Sequence, residues 1–359
     1  MERIHLIPVS IKLLYVGLTV PHDIYDAGGS RLLISRGHKL DGSKIKAIGN
    51  LNGGKDTIYV SAETHKLMIE HDLSCNVVNM ASVERETGYT GVKEEALTLL
   101  EEIRESGGLP QDSLETAALG LSKTLEETPS DIVLNLINAL APVDEYLPRH
   151  SVNVSLLNGL IGKWMKLPDE EVNLLILTGL LHDCGKAVMP SKVLTAPRRL
   201  TGVEFEVIKT HAHYSYDLLE DFPDTVRLGV RGHHEKLNGR GYPDNLFHED
   251  IPFAARVTAV SDIYDAMVSR RTYKEPQSPF YTLSRLREMG GTELDAGIVE
   301  TFIENMPKEL LGKAVVMNNG EIGVVAEIDY NKLKFPLVRL HGRMVKCSRQ
   351  LYVKSMYFE

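Results

Sequence analysis

The spacing of apolar residues changes character twice along this 359-residue chain. Residues 1 to about 75 alternate short β-type runs with Gly and Asp turns, as in LYVGLTV, DIYDAGGSRLLI and GGKDTIYV, and one short helix is predicted near DGSKIKAIGNL. From about residue 92 apolar positions recur every three or four residues, as in VKEEALTLLEEIRES and DIVLNLINAL, and this helical rhythm persists to about residue 306. A last stretch, KAVVMNNGEIGVVAEID and FPLVRL, returns to β-type runs around the turn signal NNGE. The pattern predicts a mainly α protein in four parts: a small β-containing accessory domain (1–80), a helical linker (81–130), a helical domain (131–310) and a β-type tail (311–359). No internal repeat or low-complexity segment interrupts it.

Two helices of the central part carry polar residues at informative places. Thr201 and Glu204 stand at capping-box spacing, so a helix starting near Gly202 is expected to carry His211 in its later turns. EVNLLILTGLLHDCGK is apolar nearly all round until His182, Asp183 and Gly185. A helix buried on every side that ends in a polar pair delivers that pair into the interior.

Composition then narrows the function. At 43% hydrophobic residues the chain has enough apolar material for real cores. The apolar run IHLIPVSIKLLYVGLTV is broken by His5, Pro8 and Lys12, so neither a signal peptide nor a membrane span is expected. Three scattered cysteines, Cys75, Cys184 and Cys347, do not make a disulfide framework or a thiolate metal site, and a cytoplasmic location is expected. A net charge of −9 argues against coating a nucleic-acid polymer, although a few local cations suffice for a small anion.

Histidine is the residue that points to chemistry. Seven of the thirteen (150, 182, 211, 213, 233, 234 and 248) fall between positions 150 and 248. Setting aside His213 and His248 as ordinary histidines leaves His150, His182, Asp183, His211, His233, His234 and, in VTAVSDIYDAMVSRR, Asp262. Asp265, on the same helical face as Asp262, reads as a surface or hydrogen-bonding group. Imidazole and carboxylate without cysteine suit Fe, Mn or Zn. Seven side chains exceed one coordination sphere but suffice for two ions if a carboxylate bridges, and Asp183 is the natural bridge. Two such ions clamp the attacking and leaving oxygens of a phosphoryl displacement, so phosphate-ester hydrolysis is the chemistry implied.

HDCGK at 182–186, HHEKLNGRGYP at 233–243 and AVSDIYDAMVSRRTYK at 259–274 closely resemble the HD-GYP phosphodiesterases, a branch of the HD-domain metal phosphohydrolases. The resemblance spans roughly residues 130–306. It implies a helical bundle that hydrolyses cyclic di-GMP to pGpG and/or GMP, through a hydroxide activated by two divalent ions, Fe or Mn. The same seven residues match the family's metal ligands; how the histidines divide between the ions stays open. Lys186 matches the lysine after the HD pair, with a catalytic and substrate-binding role, and Arg271 and Lys274 match its phosphate contacts. Tyr242, in a loop that Gly239 and Gly241 make mobile and Pro243 stiffens, is expected to meet a phosphate, ribose or base. Two positions depart from the pattern. Tyr146 replaces a glutamate that three-metal members use, which favours a binuclear site. Arg240 stands where a small residue is usual, and either adds a cation near substrate or points to solvent. Hydrolysis of a related dinucleotide such as cyclic GMP-AMP, and a non-catalytic receptor, remain as alternatives. The expected partners are the cyclic dinucleotide and a second copy or a signalling protein, with no nucleic-acid polymer and no membrane.

Overall fold

The computed structural model describes residues 6–76, 79–139, 146–194, 196, 198, 200–270 and 275–358. They form two compact units. The first contains residues 1–77 together with 311–329 and 335–353. Strands β1 (Leu6–Ser10), β2 (Ile24–Tyr25) and β3 (Leu32–Ile34), helix α1 (Gly42–Leu51), strand β4 (Thr57–Ser61) and helix α2 (Ala62–Asn76) follow in sequence. The sheet order is β1-β4-β2-β3, and the described pairings are antiparallel. The turn between β2 and β3 is held by one side chain: Asp26 Oδ1 accepts from the backbone N–H groups of Gly28, Ser30 and Arg31 at 3.1–3.2 Å. Asp41 caps α1 by accepting from Lys44 N at 2.9 Å. Val9, Leu18, Val20, Ile24, Leu40, Ile58 and Val60 are buried into one core beneath the sheet.

The C-terminal strands belong to this unit, whereas the sequence pattern suggests a separate tail. Strands β5 (Ala314–Met317), β6 (Ile322–Glu327), β7 (Leu337–Leu340) and β8 (Arg343–Lys346) pair in an antiparallel meander. The predicted NNGE turn joins β5 to β6, with Gly320 at φ +87°. Arg339 of β7 forks onto Asp72 of α2, with Nε 3.0 Å from Oδ2 and a second bond to Oδ1, and His65 of α2 lies 2.7 Å from the His341 carbonyl. Such partners lie far apart in sequence, so strand periodicity announces the strands without saying where they dock.

The second unit is helical and runs from residue 78 to 310, with 330–334 and 354–359 added. It begins with α3 (Met80–Glu86), α4 (Tyr89–Ser106), α5 (Gln111–Glu127) and α6 (Ser130–Asn138), so the segment expected as a linker lies inside this unit. The centre is α7 (Tyr146–Trp164) and α8 (Asp169–Leu181). After them come α9 (Ser191–Leu194), α10 (Gly202–Lys209), α11 (His211–Asp217), α12 (Asp224–Gly232), α13 (Phe253–Val268), α14 (Pro279–Met289) and α15 (Ala296–Leu310). No helix among the described residues is long and apolar enough to cross a membrane.

Helices α7 and α8 cross closely because their contact uses small residues. Ser155 donates to the Ile176 carbonyl at 2.7 Å, and Asn158 bridges the Leu175 carbonyl and the Thr258 hydroxyl at 3.0 and 2.8 Å. A Cβ at Gly179 would stand 2.5 Å from Ser155 Cα. This crossing fixes the end of α8 relative to α7. Gly179→Ala is therefore expected to lower stability by about 1–3 kcal/mol, the usual cost of overpacking. Urea unfolding measures it; an unchanged midpoint would show that the two backbones do not approach this closely.

Candidate metal centre

Each polar residue of the cluster occupies an element end or a buried helix face. His150 lies on α7 and Asp262 on α13. His182 is the C-cap of α8 and Asp183 follows it at φ −106°, ψ 6°; His233 is the C-cap of α12 and His234 follows. His211 differs from expectation. The capping box of Thr201 and Glu204 is present, but α10 ends at Lys209 and His211 opens α11. Thr210 separates the two helices and turns its hydroxyl back to the Val207 carbonyl at 2.7 Å, a bond that competes with the helical ladder. Gly185 lets the turn after Asp183 lie against α11: a Cβ there would stand 2.4 Å from the His211 carbonyl oxygen.

The seven residues meet around Asp183. Its Oδ1 lies 3.2 Å from His211 Nε2 and 3.8 Å from His233 Nε2, and its Oδ2 lies 3.3 Å from His182 Nε2 and 3.7 Å from His150 Nε2. Asp262 likewise faces two ways, with Oδ1 3.2 Å from His150 Nε2 and Oδ2 3.6 Å from His234 Nδ1. Candidate ligand atoms fall into two groups, His150, His182 and Asp183 on one side and Asp183, His211, His233 and His234 on the other, each within 4.8 Å. Asp183 belongs to both.

The proton positions follow from the hydrogen bonds. His182 Nδ1 lies 2.7 Å from the Gly179 carbonyl, His211 Nδ1 2.6 Å from the Ile208 carbonyl and His233 Nδ1 2.5 Å from the Val230 carbonyl. A carbonyl only accepts, so each Nδ1 carries the proton and, in the neutral ring, each Nε2 presents a lone pair inward. His211 Nε2 and His233 Nε2 are then 3.4 Å apart with no proton between them. Asp183 Oδ1 is buried and accepts no hydrogen bond, although imidazole nitrogen stands beside it. Lone pairs converging on an unsatisfied buried carboxylate oxygen are a donor set that fits a cation.

The local charges agree. Burial pushes His233 well below the usual imidazole range and His234 down to about 3, so both rings are neutral ligand candidates. Burial alone would raise the Asp183 and Asp262 carboxyls, but the Lys186 ammonium holds Asp183 well below the carboxylate range, and His150 does the same for Asp262. Burial also works against charge on His150, yet Asp262 and Asp265 raise it to about 9. With protein groups alone the pocket already draws a positive charge to this imidazole.

Lys186 Nζ lies 2.5 Å from Asp183 Oδ2 and is partly exposed. The Tyr242 ring lies on His234, with centroids 4.6 Å apart, and burial pushes its phenol upward, so the hydroxyl keeps its proton. The glycines of its loop serve close packing, not the mobility expected from sequence. A Cβ at Gly241 would stand 2.4 Å from Glu235 Cα, and one at Gly239 would enter the Phe247 ring. Arg240 and His248 are exposed and His213 is partly so. Arg271 and Lys274 lie outside the described residues, as does the Tyr146 side chain. Asp265 is no surface group: it is fully buried, and its Oδ2 accepts from His150 Nδ1 at 2.7 Å. Tyr89 and Asn153, which sequence reasoning missed, stand behind Asp265; neither residue type at that spacing carries a signal.

Residues 135–298 match the HD domain family. The chain is 34% identical over 211 residues to cyclic di-GMP phosphodiesterase PA4108 of Pseudomonas aeruginosa, covering 58% of this chain and 50% of that protein. It is 32% identical over 209 residues to a cyclic di-GMP phosphodiesterase of Thermotoga maritima, covering 55% and 56%. With the 3′3′-cGAMP-specific phosphodiesterase 2 of Vibrio cholerae it shares 28% over 191 residues, covering 52% and 37%. The chain thus spans about half the length or less of these curated relatives. In fold it is similar to Bd1817, an HDG"Y"P protein of Bdellovibrio bacteriovorus, with a TM-score of 0.52 at 15% identity over 84% of this chain and all of that one. On the family match and the convergence of these side chains, residues 135–298 are an HD domain, similar in sequence to those of curated cyclic di-GMP phosphodiesterases.

Proposed function

We propose that this chain is a metal-dependent phosphodiesterase that hydrolyses the 3′-5′ phosphodiester bonds of cyclic di-GMP to pGpG and/or GMP. The observation that carries the reading is Asp183, a buried carboxylate with one oxygen toward each of two ligand groups and no hydrogen bond on Oδ1. His150, His182, His211, His233, His234 and Asp262 complete a nitrogen and oxygen donor set suited to two divalent ions, Fe or Mn. Bound there, such ions lower the pKa of water and withdraw charge from phosphoryl oxygens. The similarity of the chain to curated cyclic di-GMP phosphodiesterases supports the substrate class.

The chain's own groups then divide the remaining work. Lys186 is bonded to Asp183 through one of its three protons and offers the others to a phosphate oxygen. Tyr242, kept protonated by burial, is a hydrogen-bond donor at the edge of the cluster and a flat apolar surface for ribose or base. Arg271 and Lys274 extend phosphate binding outward, a role that rests on the motif alone. The first compact unit is the accessory module of the enzyme. Free, buried Cys184 and Cys347 accord with a reduced cytoplasm.

The decisive experiment incubates the full chain with Mn2+ or with Fe2+ and reductant, supplies cyclic di-GMP, 3′3′-cGAMP and pGpG in parallel, and separates the products. Cyclic di-GMP is expected to be consumed fastest. Faster turnover of 3′3′-cGAMP would move the assignment to the specificity named for the Vibrio relative, and binding without turnover would make the chain a receptor. Elemental analysis of protein purified without chelator is expected to give about two Fe or Mn per chain, and Asp183→Ala to lose both metal and activity. A reproducible value near one or three, or full turnover by Asp183→Ala, would refute the bridged pair. Lys186→Ala is expected to keep its metal while kcat/KM for cyclic di-GMP falls roughly 10- to 100-fold, the equivalent of one charge-assisted bond of about 1.5–3 kcal/mol. An unchanged kcat/KM would remove Lys186 from the mechanism.

A further inference from the structure

We propose that Tyr89 is a positioning residue for His150, acting through Asn153 and Asp265. The inference rests on the metal reading of the cluster and adds to it a helix from outside residues 135–298, the part of the chain that matches the HD domain. Tyr89 is the first residue of α4, where Gly88, at φ +71°, turns the chain from α3 into the new helix. Its hydroxyl donates to Asn153 Oδ1 at 2.5 Å. Asn153 Nδ2 donates to Asp265 Oδ1 at 2.6 Å, Ser269 Oγ adds a second donor at 3.0 Å, and Asp265 Oδ2 faces His150 Nδ1 at 2.7 Å. Tyr89, Asn153 and Asp265 are fully buried and His150 is 2% exposed.

The direction of this chain of bonds is forced. The Asp265 carboxylate accepts, so the Asn153 amide must turn its nitrogen toward Asp265 and its oxygen toward Tyr89. Only a donor at position 89 satisfies that oxygen. Without the hydroxyl, Asn153 has a buried acceptor with no donor, and reorienting the amide would set oxygen against carboxylate. The Asn153 amide is then held less firmly against Asp265, which loosens the carboxylate's hold on the His150 ring and on its Nδ1 proton. An imidazole ligand whose outer partner is loosened binds metal less well, typically by 10–100-fold for the directly bonded partner. Tyr89 stands two bonds further back, so a smaller effect of roughly three- to tenfold is expected.

Tyr89→Phe isolates the hydroxyl. The ring that remains still packs against Arg149, whose guanidinium lies 5.7 Å from its centroid and is held by the Leu136 and Ala139 carbonyls. The test titrates the chelator-treated full chain with Mn2+ alone, without substrate, and compares wild type, Tyr89→Phe, Asp265→Asn and the double variant. The Mn2+ dissociation constant is expected to rise roughly three- to tenfold in Tyr89→Phe and more in Asp265→Asn, and Tyr89→Phe is expected to add almost nothing once Asp265 is replaced. Because the cycle compares affinities, it holds even if Tyr89→Phe shifts the urea midpoint. An unchanged affinity in Tyr89→Phe, or an equal loss in both backgrounds, would overturn the positioning role. A wild-type chain that does not bind Mn2+ would instead overturn the metal reading beneath it, so the two failures are told apart.

Discussion

The site depends on one constraint: imidazoles that have spent their Nδ1 protons must point their lone pairs somewhere, and here they point at one buried carboxylate. The Gly179, Ile208 and Val230 carbonyls that receive those protons belong to the last turns of α8, α10 and α12. An ideal helix leaves its last four carbonyls without N–H partners. Each histidine therefore closes a helix end and aims its other nitrogen inward by the same bond, always to the carbonyl three residues back. Placing ligands at three helix ends is thus a local solution that each helix stabilises for itself. Tertiary packing, such as the α7–α8 crossing at Gly179 and the approach of Gly185 to α11, has only to bring the ends together.

The same arrangement explains why the centre is a liability without positive charge. Asp183, Asp262 and Asp265 are almost wholly withdrawn from water, and burial of carboxylates is costly unless it is answered. Lys186 and His150 answer part of it, Lys186 from the solvent side of Asp183 and His150 between Asp262 and Asp265. The hydrogen bonds leave Asp183 Oδ1 outside that compensation, facing nitrogen atoms whose proton sites are turned away. An apolar core of similar volume would be the cheaper fold. A sequence that keeps these groups together accepts a cost in stability.

The metal-ligand candidates were legible in the sequence because their chemistry restricts residue type. Histidine and aspartate at element ends, within the three motif blocks, stand out from any core pattern. What supports them was not legible. Asp265 showed only as a second acidic residue on the face of Asp262, and asparagine and tyrosine at 153 and 89 are common in any helical protein. Their roles arise from three helices meeting, which no local period encodes. The break between α10 and α11 was hidden for another reason: Thr210 has modest helix propensity, and only its bond to Val207 shows that the rhythm stops there. The docking of β7 on α2 through Arg339 and Asp72 joins residues 267 apart, beyond the reach of pattern.

The Gly-Tyr-Pro loop shows how a motif that looks like a hinge can be a clamp. Gly241 lies so close to the Glu235 backbone that no side chain fits, and Gly239 is covered by the Phe247 ring. Glu235 reinforces the fold of the loop by accepting from Asp244 N at 2.6 Å and Leu246 N at 3.1 Å. Tyr242 N then bonds the His234 carbonyl at 3.3 Å, which returns the tyrosine ring to the histidine that begins the motif. The eleven residues from His233 to Pro243 are in this sense one device. The first two supply nitrogen atoms to the cluster, the glycines let the chain fold back on itself, and the tyrosine closes over the imidazole it started from. A residue with a side chain at Gly241 would move the tyrosine and the His234 backbone together, so the spacing within the motif, and not the glycines alone, sets how the pocket is covered.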